Sequence, residues 1–136
     1  MLKEIAIADA YGAGFEFSPQ GKVRDGNNLS GYLAHDLYGF SAKYTDDTQM
    51  SIAIAEFLIE GGAYEQGAIA SKFHDCFKRD KRKGYSKGFY DLLSLVESGS
   101  ELMEKIKPKS ERNGAAMRSV PLGVLENKEQ LMQIAS

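Results

Sequence analysis

Two adjacent carboxylates, Asp46 and Asp47, are flanked by Thr45 and Thr48 and stand directly before a strongly apolar stretch. Read on its own, Thr45-Asp46-Asp47-Thr48 is a helix start, with Thr45 as N-cap and two acids in the first turn complementing the macrodipole. That reading serves one aspartate well and an adjacent pair less well. Neighbouring carboxylates repel each other, and partial burial makes both charges more costly. A hard divalent cation offsets this cost, because Mg²⁺ and Mn²⁺ favour carboxylate, hydroxyl and water oxygens. On these grounds alone capping stands ahead of metal binding, since acids in a first helical turn are common.

Other groups could join such a site. Asp9 lies among alanines, and Glu16 sits between Phe15 and Phe17. A lone acid in such a setting is more often a satisfied core carboxylate or a helix-end residue than a catalyst. Beside a metal pair, Glu16 would suit a general base or a substrate-positioning group. Asn113-Gly114-Ala115-Ala116-Met117-Arg118 joins a capping residue type to a glycine and small side chains. Backbone N–H groups at such a start can hold an anion, although an ordinary capped helix explains them equally. Gly84-Tyr85-Ser86-Lys87-Gly88, after the charged run Lys78 to Lys83, could also contact phosphate, the run itself reading as a solvated loop. His35 and His74 have no second ligand at metal-like spacing, and Cys76 on an apolar face reads as core.

The elements that must position these groups read as helices. Leu2 to Ala13 is dense in small residues, which lets another helix approach closely, and Gly12 and Gly14 weaken its end. Residues Phe17 to Tyr44 carry Pro19 and several glycines with little periodicity, and a connection this long is more often functional than idle. Met50, Ala53, Ile54, Phe57 and Leu58 form one apolar face, and Ile52, Ala55 and Ile59 make the opposite face apolar too, so this helix should be central. Gly61-Gly62 ends it. Ile69, Phe73, Cys76 and Phe77 mark a third stripe, and Phe89, Leu92, Leu93 and Val96 a fourth. Glu101 to Lys107 is a weak segment broken by Pro108, and Pro121 and Gly123 interrupt the apolar stretch Ala115 to Leu125. Asn127, with Gln130 three residues on, could cap a last helix over Lys128 to Ala135. No alternating strand pattern appears. The expected architecture is all-α, a compact helical bundle forming one domain over residues 1–136.

Composition narrows the function. A net charge of −2 over 136 residues argues against a general nucleic-acid binder, which would show a basic face. With Cys76 alone, no intrachain disulfide or cysteine-rich metal site can form, and a reducing compartment fits best. Glu4 and Asp9 interrupt any apolar run at the N-terminus, so neither a signal peptide nor a membrane span is expected there. A cytoplasmic location with no membrane partner is the expectation.

In their order along the chain, these segments resemble the ADP-ribosylglycohydrolase family, which includes dinitrogenase-reductase-activating glycohydrolase and the ADP-ribosyl-arginine and ADP-ribosyl-serine hydrolases. Ala8-Asp9-Ala10-Tyr11-Gly12-Ala13-Gly14-Phe15-Glu16 is similar to the family's Gly-Asp-Ala-x-Gly-Ala-x-x-Glu opening. Tyr44 to Met50 is similar to its Thr-Asp-Asp-Thr-x-Met metal motif. Asn113 to Arg118, followed by Pro121, is similar to its Asn-Gly-x-x-Met-Arg-x-x-Pro segment, and Gly84 to Gly88 more weakly to a glycine-tyrosine loop.

The resemblance implies an all-α bundle holding two Mg²⁺ or Mn²⁺ ions and hydrolysing the bond between ADP-ribose and a modified side chain. It implies Thr45, Asp46 and Asp47 as metal ligands, with Glu16 and Asp47 as the catalytic carboxylates. Asn113, Gly114, Ala115 and Tyr85 would be substrate-binding residues. Capping and coordination can coexist at one helix start. The substrate would be an ADP-ribosylated protein or a small ADP-ribose conjugate.

Two departures accompany the resemblance. No Asp-x-Asp-Ser/Thr, the motif of the family's remaining ligands, occurs in the chain, and Arg112 stands where the family often has glycine. The chain therefore reads as an N-terminal portion supplying one side of the metal cage, weakly active or inactive unless a second chain or segment completes it. The alternatives are a non-catalytic ADP-ribose-binding or interaction module, or an inactive helical fragment. Apolar faces on the last helices leave room for a homo-oligomer.

Overall fold

The computed structural model describes residues 1–61, 64–107 and 114–135, and among them there is no strand. Among the described residues eight α-helices follow one another: α1 (Leu2–Gly12), α2 (Gln20–Gly26), α3 (Asp46–Glu60), α4 (Gln66–Arg79), α5 (Lys87–Leu95), α6 (Gly99–Lys105), α7 (Gly114–Met117) and α8 (Lys128–Ala135). Two short 3₁₀ turns, Ala13–Phe15 and Val120–Val124, extend α1 and follow α7. The all-α expectation holds.

Helix α3 is central, packing against α1, α4, α7 and the second 3₁₀ turn. Its predicted core face is buried at Met50, Ala53, Ile54 and Phe57. The opposite face is only partly covered. Ala55 is buried, whereas Ile59 near the helix end is 82% exposed.

The main core gathers Met50, Ala70, Phe77, Leu93, Val96 and Leu102 from α3 to α6, with the Tyr85 ring among them. Phe77 meets the rings of Tyr85 and Tyr90 edge-on at 5.6 and 5.1 Å, an arrangement aromatic quadrupoles favour. Helices α4 and α6 approach so closely that a Cβ on Gly99 would overlap the Ser71 backbone. His74 is tied into this core, its Nε2 lying 3.2 Å from the Val96 carbonyl. Cys76 is 2% exposed, and burial pushes its thiol up to about 11, in keeping with a core role.

The stretch Phe17 to Tyr44 is not irregular throughout, because α2 lies within it. This helix has no buried residue, so it leaves no apolar periodicity to detect. Pro19 at its start, with φ −59° already near a helical value, is the one local signal. Near the C-terminus Asn127 caps α8 as expected, Oδ1 accepting from the N–H groups of Glu129 and Gln130 at 2.8 and 3.2 Å. Met132 and Val124 stay exposed there.

Candidate functional site

The head of α3 is held by a carboxylate from another helix. Thr45 occupies the N-cap position in extended backbone, but its side chain does not cap the helix. Asp9 of α1 does so instead. Its Oδ2 accepts from Thr45 N at 2.8 Å, Thr48 N at 3.1 Å and the Thr48 hydroxyl at 2.5 Å. Its Oδ1 accepts from the Thr45 hydroxyl at 2.7 Å. Capping by Thr45 is thereby corrected: both threonine hydroxyls donate to Asp9, so the negative end of the cap lies on α1. The expectation that Asp9 is a satisfied structural carboxylate is met.

A second device covers the other side of this helix start. The Asp46 N–H donates to the Lys83 carbonyl at 3.0 Å, and Gly84 follows at φ +108°. A side chain at Gly84 would run into the Asp46 carboxylate, so only glycine lets the loop pass so close. Gln49, one turn into α3, pins this loop from within. Its amide donates to the carbonyls of Cys76 and Asp80 at 3.0 and 2.5 Å and accepts from the Tyr85 hydroxyl at 2.9 Å. Tyr85 is thus mostly buried with its hydroxyl committed to Gln49, and burial pushes its phenol well up. Its remaining edge borders a cleft of about 260 Å³ that Tyr38, Lys83 and Tyr90 also line.

Between these supports lie Asp46 and Asp47, neither of them paired with a cation among the described residues. Burial, then the neighbouring Asp47 charge, pushes Asp46 up to about 7, with Asp9 and Glu16 adding to the rise. Burial raises Asp47 to about 6, and Asp9 and Glu16 again contribute. Four carboxylates therefore share one field at the head of an apolar helix. Two of them resist ionisation, first because burial penalises their charge and then because the neighbouring carboxylates repel it.

The structure brings Glu16 into that field. It follows the first 3₁₀ turn, with its side chain half exposed and Oε2 lying 3.3 Å from His35 Nε2. The end of α7 also reaches α3, since the Ser51 hydroxyl approaches the Met117 carbonyl at 3.3 Å and that of Asp47 at 2.9 Å. Gly114 and Ala115 open α7, whereas Asn113 lies outside the described residues. His35 and Gln49 were not singled out as site residues from sequence. Their partners stand 19 to 36 positions away, beyond the reach of any local pattern.

The donor chemistry can be tested against a hard divalent cation. Two half-buried carboxylates with no counter-ion among the described residues, beside a threonine hydroxyl with a lone pair to spare, match what Mg²⁺ or Mn²⁺ takes. They would supply one side of a cage. Among the described residues, no group of three or more His, Cys, Asp and Glu side chains could hold an ion by itself.

Comparison with known proteins gives a consistent answer. The sequence model of the ADP-ribosylglycohydrolase family matches residues 5–136. The chain is 30% identical over 122 residues to a protein of Acanthamoeba polyphaga mimivirus named "Putative ADP-ribosyl glycohydrolase", covering 82% of this chain and 36% of that one. It is 23% identical over 134 residues to the ADP-ribosylarginine hydrolase Tri1 of Serratia proteamaculans (strain 568), covering 93% and 36% respectively. The chain thus spans little more than a third of the length of these curated relatives. No solved structure matches it. The family match runs from Ile5 to the last residue and takes in both the Asp9 and the Asp46-Asp47 segments, so the chain belongs to the ADP-ribosylglycohydrolase family.

Proposed function

We propose that this chain supplies the N-terminal side of a metal-dependent hydrolase site that cleaves the N- or O-glycosidic bond between ADP-ribose and a modified side chain. The observation that carries this reading is the pair Asp46 and Asp47 at the head of α3, without a cationic partner among the described residues and raised by burial and by neighbouring carboxylates. Asp46 and Asp47, with the Thr45 hydroxyl, would hold Mg²⁺ or Mn²⁺. Asp9, engaged by four hydrogen bonds, sets where those ligands stand. When bound, the metal supplies Lewis acidity at the ribose and lowers the pKa of a water.

Glu16 is the group best placed to move a proton, being exposed at its carboxylate and close enough to affect both aspartates. Asp47 shares the catalytic role by keeping negative charge next to the reacting sugar, where an oxocarbenium-like transition state develops positive charge. Asn113, Gly114 and Ala115 would lie along the phosphates, with small side chains that let an anion approach the backbone. Tyr85 would act mainly by holding the Gly84 loop against Asp46, its exposed edge bordering the adjoining cleft. Substrates would be ADP-ribosylated proteins or small ADP-ribose conjugates.

The test is a calorimetric titration of ADP-ribose into the purified chain, first with Mg²⁺ and then with EDTA, followed by assays on ADP-ribosyl-arginine and ADP-ribosyl-serine. Binding that needs the metal is expected, with at most weak turnover, abolished by EDTA, from a chain that supplies one side of the site. Metal-independent binding without cleavage would replace the proposal with a non-catalytic ADP-ribose module. Absence of binding in both buffers would overturn it.

A further inference from the structure

The turn that carries Glu16 is strained and held from outside. Phe17, immediately after it, lies at φ +56°, a left-handed conformation that a bulky aromatic residue rarely adopts. The segment 33–40, part of the long connection between α2 and α3, folds back over this turn. A Cβ on Gly14 would come within 2.6 Å of the Leu33 carbonyl oxygen, so the two backbones touch. Asp36 accepts from the Ser18 hydroxyl at 2.8 Å and from Lys22 Nζ at 2.6 Å, and the same ammonium donates to the Ala34 carbonyl at 2.8 Å. Between these ties stands His35.

The His35 ring is 1% exposed and packed against Tyr38, Phe40 and Phe17, with centroids 4.7, 5.2 and 6.3 Å away. Its backbone is fixed as well, the His35 N–H donating to the Phe40 carbonyl and the Gly39 N–H to the His35 carbonyl, both at 2.8 Å. The Leu37 N–H lies 3.1 Å from Nδ1. A backbone N–H can only donate, so Nδ1 is the bare acceptor and the proton of the neutral ring sits on Nε2. Nε2 faces Glu16 Oε2 at 3.3 Å, a long bond of the kind catalytic groups show before substrate tightens them.

We propose that His35 is a positioning residue for Glu16: locked as the Nε2–H tautomer by the Leu37 N–H, it occupies Oε2 and leaves Oε1 to handle the proton. The inference rests on the reading of Glu16 as the reacting carboxylate. A half-exposed glutamate otherwise samples several rotamers, and each turnover would bear the cost of selecting one. A buried donor facing an exposed carboxylate removes that freedom.

The experiment has two arms on the same chain. Long-range ¹H–¹⁵N NMR should show His35 with the proton on Nε2, and that nitrogen's resonance should move in Glu16→Gln. In the Mg²⁺-supported assay, His35→Phe, which keeps the ring packing and loses the donor, should lower kcat about 10–100-fold with KM little changed. His35→Gln, whose amide can restore an N–H, should recover most of that loss. In a Glu16→Gln background His35→Phe should cost nothing more, because the partner is already gone. A proton on Nδ1, an Nε2 resonance indifferent to Glu16→Gln, or an equal kcat loss in both backgrounds would overturn the assignment. If the chain neither binds ADP-ribose nor turns over substrate, the functional reading fails, while the NMR arm still decides whether His35 orients Glu16.

Discussion

Asp9 and the Asp46-Asp47 pair lie within one electrostatic field, yet the fold treats them in opposite ways. Asp9 accepts four hydrogen bonds from the backbone and hydroxyls of Thr45 and Thr48, so its charge is satisfied and it builds structure. Asp46 and Asp47 sit in the first turn of α3 with no cation beside them among the described residues, and both are raised. A carboxylate whose partners are already present reads as architecture. Carboxylates kept half-buried at a standing electrostatic cost read as a place reserved for something positive.

The sharpest break of this contrast is Asp9→Ala. It removes the cap of α3 and leaves the Thr45 and Thr48 donors without their acceptor, so thermal unfolding should show a loss of about 2–3 kcal/mol. Gly84→Ala should follow closely, at about 2 kcal/mol, because alanine is strained at φ +108° and its methyl overlaps Asp46. Both variants should also weaken any metal response, since each displaces the aspartate carboxylates. Asp46→Asn should go the other way. In EDTA at pH 7.5 it removes a repelled charge and should stabilise the metal-free protein by about 1 kcal/mol, the value being discounted for partial solvent screening.

The smallest effect is the most diagnostic in sign. Both aspartates hold protons more tightly folded than unfolded. Their contribution is therefore fully present below the unfolded aspartate value near 4 and is lost as pH rises through about 6 for Asp47 and about 7 for Asp46. Metal-free protein should melt a few degrees higher at pH 5 than at pH 8. Asp46→Asn should flatten that slope. The same slope in wild type and variant would place the pH dependence elsewhere.

Sequence reading reached the acidic pair because adjacency and a first-turn position are local features, and it found α3, α4 and α5 because each has an apolar stripe. It missed α2, which buries nothing and so carries no stripe. It also placed the cap of α3 on Thr45, the locally obvious oxygen, when the acceptor comes from Asp9, 36 residues earlier. Gln49 and His35 were hidden for the same reason. A buried amide or imidazole declares its role only through partners that the fold delivers, whereas a carboxylate pair is unusual wherever it stands.

The most direct measurement is a Mg²⁺ and Mn²⁺ titration of the chain followed by thermal unfolding at pH 7.5, with wild type and Asp46→Asn in parallel. At an ion concentration about 100 times its Kd, wild type should gain about 2.7 kcal/mol over its EDTA value. The variant should gain little and should lose its metal-free advantage. A wild type indifferent to either ion, or an Asp46→Asn variant stabilised equally, would contradict the claim that the head of α3 is built to hold a cation.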